Sequence, residues 1–165
     1  MNIEVREAAR GEYSEVARLT EVAYEQYAER LGPERWNVYR GELTDIEGKA
    51  KAGAATFIAL MDEKPAGAVS LFRHSPEDRP WPKDWTFVRA LAVAPEHRGK
   101  GIGRRLLEVC IARTREWGAP VIFLRTAPYM KEAIALYGSM GFEKNEEYSE
   151  VLPNGRKILA YMIRM

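Results

Sequence analysis

The spacing of apolar residues divides the chain into short strands and amphipathic helices. Apolar residues that recur every third or fourth position indicate a helix with one buried face, and alternation with polar residues indicates a strand. These patterns predict strands at 3–8, 56–61, 65–73, 85–93, 121–126, 147–152 and 157–164. They predict helices at 11–31, 36–53, 102–117 and 130–140. The order is β-α-α-β-β-β-α-β-α-β-β, and we expect a single α/β domain over residues 1–165.

Glycine and proline mark the boundaries between these elements. Gly32-Pro33, Gly118 and Gly141 each follow a predicted helix, where glycine favours termination. Asn154-Gly155 is a hairpin turn signal between the last two strands. The segment 75–84 contains three prolines and is predicted to be a loop.

Composition and charge narrow the function classes. The 165 residues include 25 Lys and Arg against 24 Asp and Glu, a net charge of +1. This balance predicts no general attraction to nucleic acid or to an anionic membrane. The one cysteine excludes an internal disulfide, and we find neither a signal peptide nor an apolar run of about 18 residues. We expect a soluble cytoplasmic protein, a monomer or a homodimer paired through its apolar last strand.

The segment 93–107 carries the clearest chemical signal. A buried-looking strand leads into Gly99, Gly101 and Gly103, and an amphipathic helix follows. Glycine lets the backbone turn sharply and approach a ligand closely. The first amides of the helix have no intrahelical acceptor, and the helix dipole adds positive potential there. The pattern therefore favours an anion site that suits phosphate.

The charges around this loop strengthen that interpretation. Arg98, Lys100, Arg104 and Arg105 surround the start of the helix with no acid between them. Each cation at a helix N-terminus is destabilising by about 0.3–1 kcal/mol, because it is repelled by the positive end of the dipole. A bound polyanion makes the same cations stabilising. The dinucleotide fingerprint fails at Arg104, and the P-loop motif fails because glycine follows Lys100. A glycine-rich turn beside a solvated basic patch is the alternative reading.

Two motifs resemble the GNAT N-acetyltransferase superfamily. Arg98-Gly-Lys-Gly-Ile-Gly103 is similar to its pyrophosphate-binding motif, and Ala133-Ile-Ala-Leu-Tyr-Gly-Ser-Met-Gly-Phe142 is similar to its A-x-x-L-Y-x-x-x-G-F segment. The resemblance covers nearly the whole chain and is weakest over 11–55. It implies an α/β GNAT fold with a mixed, mostly antiparallel sheet of about seven strands and about four helices. It also implies transfer of an acetyl group from acetyl-coenzyme A (acetyl-CoA) to a primary amine.

The resemblance assigns roles to individual residues. The pantetheine arm would pair with the backbone of Leu91 and Val93, and the amine would enter from the other side and attack the thioester directly. Tyr137 would protonate the departing thiolate, although a tyrosine on an apolar helix face is more often core. Tyrosine and thiol pKa values differ by about 1.5, so this transfer is uphill by only ~2 kcal/mol. The cofactor-binding set further includes Arg98, Gly99, Lys100, Gly101, Ile102, Gly103 and Arg104.

The chain departs from the family pattern at three positions. Met130 stands where many members carry asparagine, and Arg89 and Arg125 stand on strands where many carry an acid. The general base is therefore unassigned, and solvent suffices if the acceptor pKa is low enough. Base candidates, each more simply read as a solvated loop residue, are His74, Asp78, Asp84 and His97. No His or Cys spacing indicates a metal site, and Cys110 is predicted to be buried packing.

The acceptor and the donor both stay open at this point. By resemblance the acceptor, a small-molecule or peptide amine, would meet residues 24–39 and 146–156. The first stretch combines aromatic and acidic residues that suit an ammonium group, although most of these aromatics are simpler to read as core. Trp81 and Trp85 either form a wall of the acceptor site or pack in the core. One alternative function is a non-catalytic acyl-CoA-binding module, and another is a transferase that uses a different acyl-CoA.

Overall fold

The computed structural model describes residues 2–165. Its strands are β1 Ile3–Glu7, β2 Ala54–Met61, β3 Lys64–Phe72, β4 Thr86–Val93, β5 Val121–Thr126, β6 Glu143–Val151 and β7 Lys157–Arg164. Its helices are α1 Tyr13–Tyr24, α2 Ala28–Leu31, α3 Pro33–Thr44, α4 Ile46–Lys51, α5 Ile102–Glu116 and α6 Lys131–Ser139. Short 3₁₀ turns occupy Arg10–Glu12, Glu25–Tyr27 and Pro95–His97. Along residues 2–165, no helix has both the length and the apolar character needed to cross a bilayer.

The strands form one mixed sheet in the order β1-β2-β3-β4-β5-β7-β6. β1 with β2, β5 with β7, and β6 with β7 are antiparallel pairs. β4 and β5 are parallel, with Thr86–Val88 in register with Ile122–Leu124. The predicted seven-stranded mixed sheet flanked by helices is confirmed.

Two of the four predicted helices are each divided. The Glu25–Tyr27 turn separates α1 from α2, and Asp45 separates α3 from α4. The Asp45 carboxylate accepts a hydrogen bond from the Gly48 amide at 2.9 Å and so caps the N-terminus of α4. This side-chain bond replaces a backbone bond that a continuous helix would make. α3 begins at Pro33, ahead of the predicted start, because proline suits the first helical position.

The predicted helix ends before Gly118 and Gly141 are confirmed, and a tight turn joins β2 to β3. Asp62 (φ 48°) and Glu63 (φ 70°) make the tight connection between β2 and β3, with the left-handed backbone of a primed hairpin turn. Gly118 (φ 71°) and Gly141 (φ 93°) follow α5 and α6 in the same left-handed region, where glycine lacks the Cβ penalty. Local residue chemistry therefore sets the ends of these elements.

The described chain divides into two compact units. The first comprises the residues through Ser70 together with Ala90–Val109, and the second comprises Leu71–Arg89 and Cys110–Met165. A buried cluster of the first unit consists of Val16, Ile46, Ile58, Leu60 and Ala68. The second unit contains an aromatic cluster of Trp81, Trp85, Phe87 and Phe123. The single domain over residues 1–165 stays a prediction.

Candidate functional site

The segment between β4 and α5, residues 94–101, needs glycine for its backbone conformation. Gly99 (φ 76°) and Gly101 (φ 83°) lie in the left-handed region, which strains residues with a side chain. A Cβ at either glycine would meet no atom within 4 Å, so the backbone and not crowding requires glycine here. Both glycines are exposed, and a ligand can approach this stretch of main chain directly.

The loop presents amide donors that have no backbone acceptor in the part of the chain that the structure describes. α5 begins at Ile102, and the Arg105 amide donates to the Gly101 carbonyl at 3.1 Å. The amides of the first helical residues precede any intrahelical acceptor. Within residues 2–165, no backbone carbonyl accepts a hydrogen bond from the amides of Gly99, Lys100 or Gly101. Consecutive outward amides at a helix start form an anion cradle, so the chain fits a pyrophosphate group here.

The four cations near the loop have different local contacts. The Arg98 guanidinium donates to the Ala23 carbonyl at 3.0 Å, and that of Arg105 donates to the Ile3 carbonyl at 3.3 Å. Lys100 and Arg104 are exposed beside the glycines. The first turn of α5 contains no acid, so the positive potential predicted from the sequence is not neutralised within that turn.

The part of β4 before the loop carries a local irregularity. Ala90 has φ 56°, which is uncommon for a residue with a Cβ and costs about 1–3 kcal/mol. Leu91 and Val93, the predicted pantetheine contacts, are half-buried. The Leu91 carbonyl already accepts the Tyr24 hydroxyl at 2.8 Å and keeps its second lone pair. Sequence reasoning missed Ala90, because nothing about alanine signals a left-handed backbone.

Gly67 on β3 is a further residue that sequence reasoning missed. A Cβ at this position would lie 2.8 Å from Ile102 Cγ2 and 2.9 Å from the Ala92 carbonyl oxygen. The strand therefore packs closely against the start of α5 and helps to position the loop amides. A glycine inside an apolar strand pattern is itself a signal for such a close approach.

Tyr137 lies on α6 in the second compact unit. It is 6% exposed, and its ring centroid is 5.7 Å from that of Phe142 and 6.1 Å from that of Tyr161. The ring is therefore packed, as the core interpretation requires. Met130, at the position where asparagine is common in the family, accepts the Thr126 hydroxyl on its sulfur at 3.3 Å. The proton-donor role of Tyr137 stays a prediction.

The base candidates are dispersed over the surface. His74, Asp78 and Asp84 are exposed. His97 is half-buried, and within the described chain its buried Nδ1 has no hydrogen-bond partner. The general base stays unassigned.

Burial defines the role of Cys110, and the positions of the His, Cys, Asp and Glu side chains test for a metal site. Cys110 is fully buried, and burial raises the pKa of its thiol to about 12, which confirms packing and argues against a nucleophile. Over residues 2–165, no three His, Cys, Asp or Glu side chains group as ligands for a metal ion.

Comparison with known proteins identifies the family. N-acetyltransferase 8B of Homo sapiens is 29% identical over 122 residues, 69% of this chain and 52% of that protein. This chain matches its curated relatives over 26% to 52% of their own length.

Two solved structures show the same fold. The PaiA N-acetyltransferase of Thermoplasma acidophilum, in complex with coenzyme A, has a TM-score of 0.73, 16% identity and coverage of 97% of this chain and 98% of that one. YncA of Salmonella typhimurium, a putative acetyltransferase with its cofactor acetyl-CoA, has a TM-score of 0.70, 18% identity and coverage of 98% and 93%. The model of the acetyltransferase (GNAT) family matches residues 14–142, a span that includes the glycine loop and Tyr137, and the chain therefore belongs to the GNAT acetyltransferase family.

Proposed function

We propose that this protein transfers an acetyl group from acetyl-CoA to a primary amine. The observation that carries the proposal is the run of amides at Gly99, Lys100 and Gly101, which have no backbone acceptor within residues 2–165 and lead into the start of α5. Membership of the GNAT family and the coenzyme A and acetyl-CoA bound by PaiA and YncA support the same ligand for this chain.

The cofactor-binding residues divide by the part of the ligand that they hold. The amides from Gly99 to Arg104 receive the pyrophosphate, and Lys100 and Arg104 supply positive charge. Arg98 stabilises the loop through its bond to the Ala23 carbonyl and so acts on the site through the backbone. Leu91 and Val93 offer backbone groups to the pantetheine arm, with one lone pair of the Leu91 carbonyl already used by Tyr24.

In the proposed reaction, acetyl-CoA supplies the activated acetyl group as a thioester. The amine nitrogen attacks the thioester carbonyl directly, a carbon–nitrogen bond forms, and the carbon–sulfur bond breaks. Tyr137 gives its hydroxyl proton to the departing sulfur, an uphill step of only ~2 kcal/mol from reference pKa values. The nitrogen passes its proton to water, and Tyr137 regains a proton from solvent after the thiol leaves.

A non-catalytic acyl-CoA-binding module is the second candidate function. The observation that favours it is the presence of Arg89 on β4 and Arg125 on β5, where many relatives carry an acid. A transferase with another acyl-CoA donor would use the same phosphate loop, and competition between donors separates it from acetyl transfer.

Calorimetric titration with acetyl-CoA tests the proposal. The parent protein should bind at about micromolar strength, and Gly101→Glu should not bind, because it adds a carboxylate and a Cβ where pyrophosphate would lie. Gly118→Glu is the matched control, since Gly118 also has a positive φ and open space around its Cβ but follows the C-terminal end of α5.

Three outcomes are decisive. A folded parent, freed of carried-over coenzyme A, that fails to bind acetyl-CoA would refute the proposal. Equal loss of binding in both variants would assign the effect to strain and remove the support for the loop. Binding without turnover on a broad amine panel would favour the non-catalytic module.

A further inference from the structure

Three arginines surround two aromatic rings in the second compact unit. The Arg125 guanidinium carbon lies 5.3 Å from the Trp81 ring centroid, and that of Arg79 lies 5.8 Å from the same ring. The Arg89 guanidinium carbon lies 5.9 Å from the Phe87 ring centroid, and the Trp81 and Phe87 centroids are 5.1 Å apart. We call Arg79, Trp81, Arg89 and Arg125 the arginine–tryptophan cluster.

Two buried donors of this cluster are unsatisfied. Trp81 is 2% exposed, and the Arg125 side chain is 14% exposed. Within residues 2–165, neither Trp81 Nε1 nor Arg125 Nε has a hydrogen-bond partner. Both atoms are N–H donors, and a buried donor without an acceptor is destabilising, so each such group calls for an explanation. Two neighbouring side chains with unsatisfied donors are suited to a ligand that brings acceptor atoms.

The charge of the cluster has the same implication. Glu150 accepts from Arg125 Nη2 at 2.8 Å, and its side chain is 52% exposed. Burial lowers the pKa of Arg125, and the nearby charges of Arg79 and Arg89 lower it further against the opposing effect of Glu150. The Glu150 carboxylate occupies one of the five N–H donors of Arg125. Arg125 therefore keeps donors for a further acceptor, and the nearby charges of Arg79 and Arg89 favour an acceptor that is anionic.

The strand pattern relates the cluster to Tyr137. Tyr161 on β7 is in register with Leu124, and antiparallel partners share one face of the sheet. The Tyr137 ring packs against Tyr161, so Tyr137 lies on the Leu124 side. Successive residues of a strand face opposite sides, so Arg125 lies on the other face of β5. A ligand on the cluster would thus occupy the face of β5 opposite Tyr137.

We infer that the acceptor amine also carries a carboxylate, as a free amino acid does, and that this carboxylate binds Arg125 and the Trp81 N–H. The inference rests on the proposed acetyltransferase function and names the substrate class. A carboxylate offers two oxygens with about four lone-pair sites, which is enough for both unsatisfied donors, and arginine binds it with planar geometry. In a peptide N-terminus that carboxyl is a neutral amide carbonyl, which offers one acceptor oxygen and no negative charge, so such an acceptor would match these donors less well.

Paired substrates test the inference. Acetyl transfer, followed as release of thiol from acetyl-CoA, is measured for α-, β- and γ-amino acids and for the carboxamide of each. For the best amino acid, kcat/KM should exceed that of its amide by about 10- to 100-fold, the size of lost charged hydrogen bonds. Arg125→Gln and Trp81→Phe should reduce this preference, and Arg125→Lys should restore only part of it, because lysine lacks the planar fork.

A matched control separates recognition from general damage. Arg73→Gln removes an arginine that lies 5.5 Å above the Trp117 ring, a similar arrangement outside the cluster, and should leave the preference unchanged. Thermal melting reports whether each variant folds, and Trp81→Phe keeps an aromatic ring if Arg125→Gln does not fold.

The outcomes distinguish this inference from the proposed function. Turnover of amides as fast as amino acids, or equal losses on both substrates in the cluster variants, would overturn the inference and leave acetyl transfer standing. If acetyl-CoA does not bind, the proposed function fails, and direct calorimetry of the amino acids and amides decides the anion site. The site would be supported if the parent binds amino acids and Trp81→Phe binds them more weakly. It would be overturned if the parent binds amino acids no more tightly than their amides.

Discussion

The substitution Gly67→Ala tests the close packing between β3 and the start of α5. The added Cβ would lie 2.8 Å from Ile102 Cγ2, 2.9 Å from the Ala92 carbonyl oxygen and 3.1 Å from Leu106 Cδ1. The carbonyl belongs to the backbone of β4 and cannot rotate away as a side chain can. The strand or the helix must therefore move.

The cost can be worked from these distances. Ordinary contact begins at 3.4 Å, so the neighbours must separate by about 0.5 Å. Overpacking of this kind costs about 1–3 kcal/mol, and the lower chain entropy of alanine in the unfolded state returns about 0.5–1 kcal/mol. We expect a net loss of ~1–2 kcal/mol. Gly41→Ala in α3 is the control, because no atom lies within 4 Å of its Cβ, and it should gain about 0.5–1 kcal/mol.

Urea unfolding and acetyl-CoA titration measure the two consequences. The unfolding midpoint should fall in Gly67→Ala and rise in Gly41→Ala. Acetyl-CoA affinity should fall only in Gly67→Ala, because movement of the first turn of α5 displaces the loop amides. A Gly67→Ala variant as stable as its parent would refute the packing argument, and lower stability with unchanged affinity would refute the link to the loop.

Two further predictions concern Tyr137 and Glu12. Tyr137→Phe should lower kcat by about 10²-fold or more with little change in acetyl-CoA affinity, since proton transfer is lost. Tyr161→Phe removes the neighbouring hydroxyl as a control, and full activity of Tyr137→Phe would exclude the proton-donor role. The Glu12 carboxylate accepts hydrogen bonds from Arg6 and from the Ala9 amide, and these bonds lower the pKa of Glu12 to about 2. Glu12 therefore stabilises the folded state above pH 4.5, and this stabilisation is lost as pH falls through 2. In urea unfolding, Glu12→Gln should cost at most ~1 kcal/mol at pH 7, and the cost should shrink as pH falls from 4.5 through 2; a loss independent of pH would contradict this assignment.

The sequence determined most of the secondary structure because its signals are local. The strand predicted at 121–126 is Val121–Thr126, and the helix predicted at 102–117 is Ile102–Glu116. The left-handed glycines that end the helices need only their own missing Cβ. The break at Asp45 was not predicted, because the apolar spacing of a helix continues on both sides of it. The Asp45 side chain interrupts the helix by accepting a hydrogen bond from the Gly48 amide.

The glycine loop was also readable from the sequence. Its conformation depends on Gly99 and Gly101, and its donors depend on the start of α5, all within a few residues of each other. The assignment of acetyl-CoA needed the family resemblance as well, because a cradle of amides binds many phosphates.

Only the tertiary structure decided the features that depend on residues distant in sequence. Gly67 is essential because Ala92 and Ile102 pack against it, and Ala90 adopts a left-handed backbone that no local signal predicts. Arg125 and Trp81 are far apart along the chain, and each alone is an ordinary surface cation or core aromatic. Their unsatisfied donors become a potential site only when the fold stacks one on the other, because burial and hydrogen-bond satisfaction are properties of the packed chain and not of the residue type.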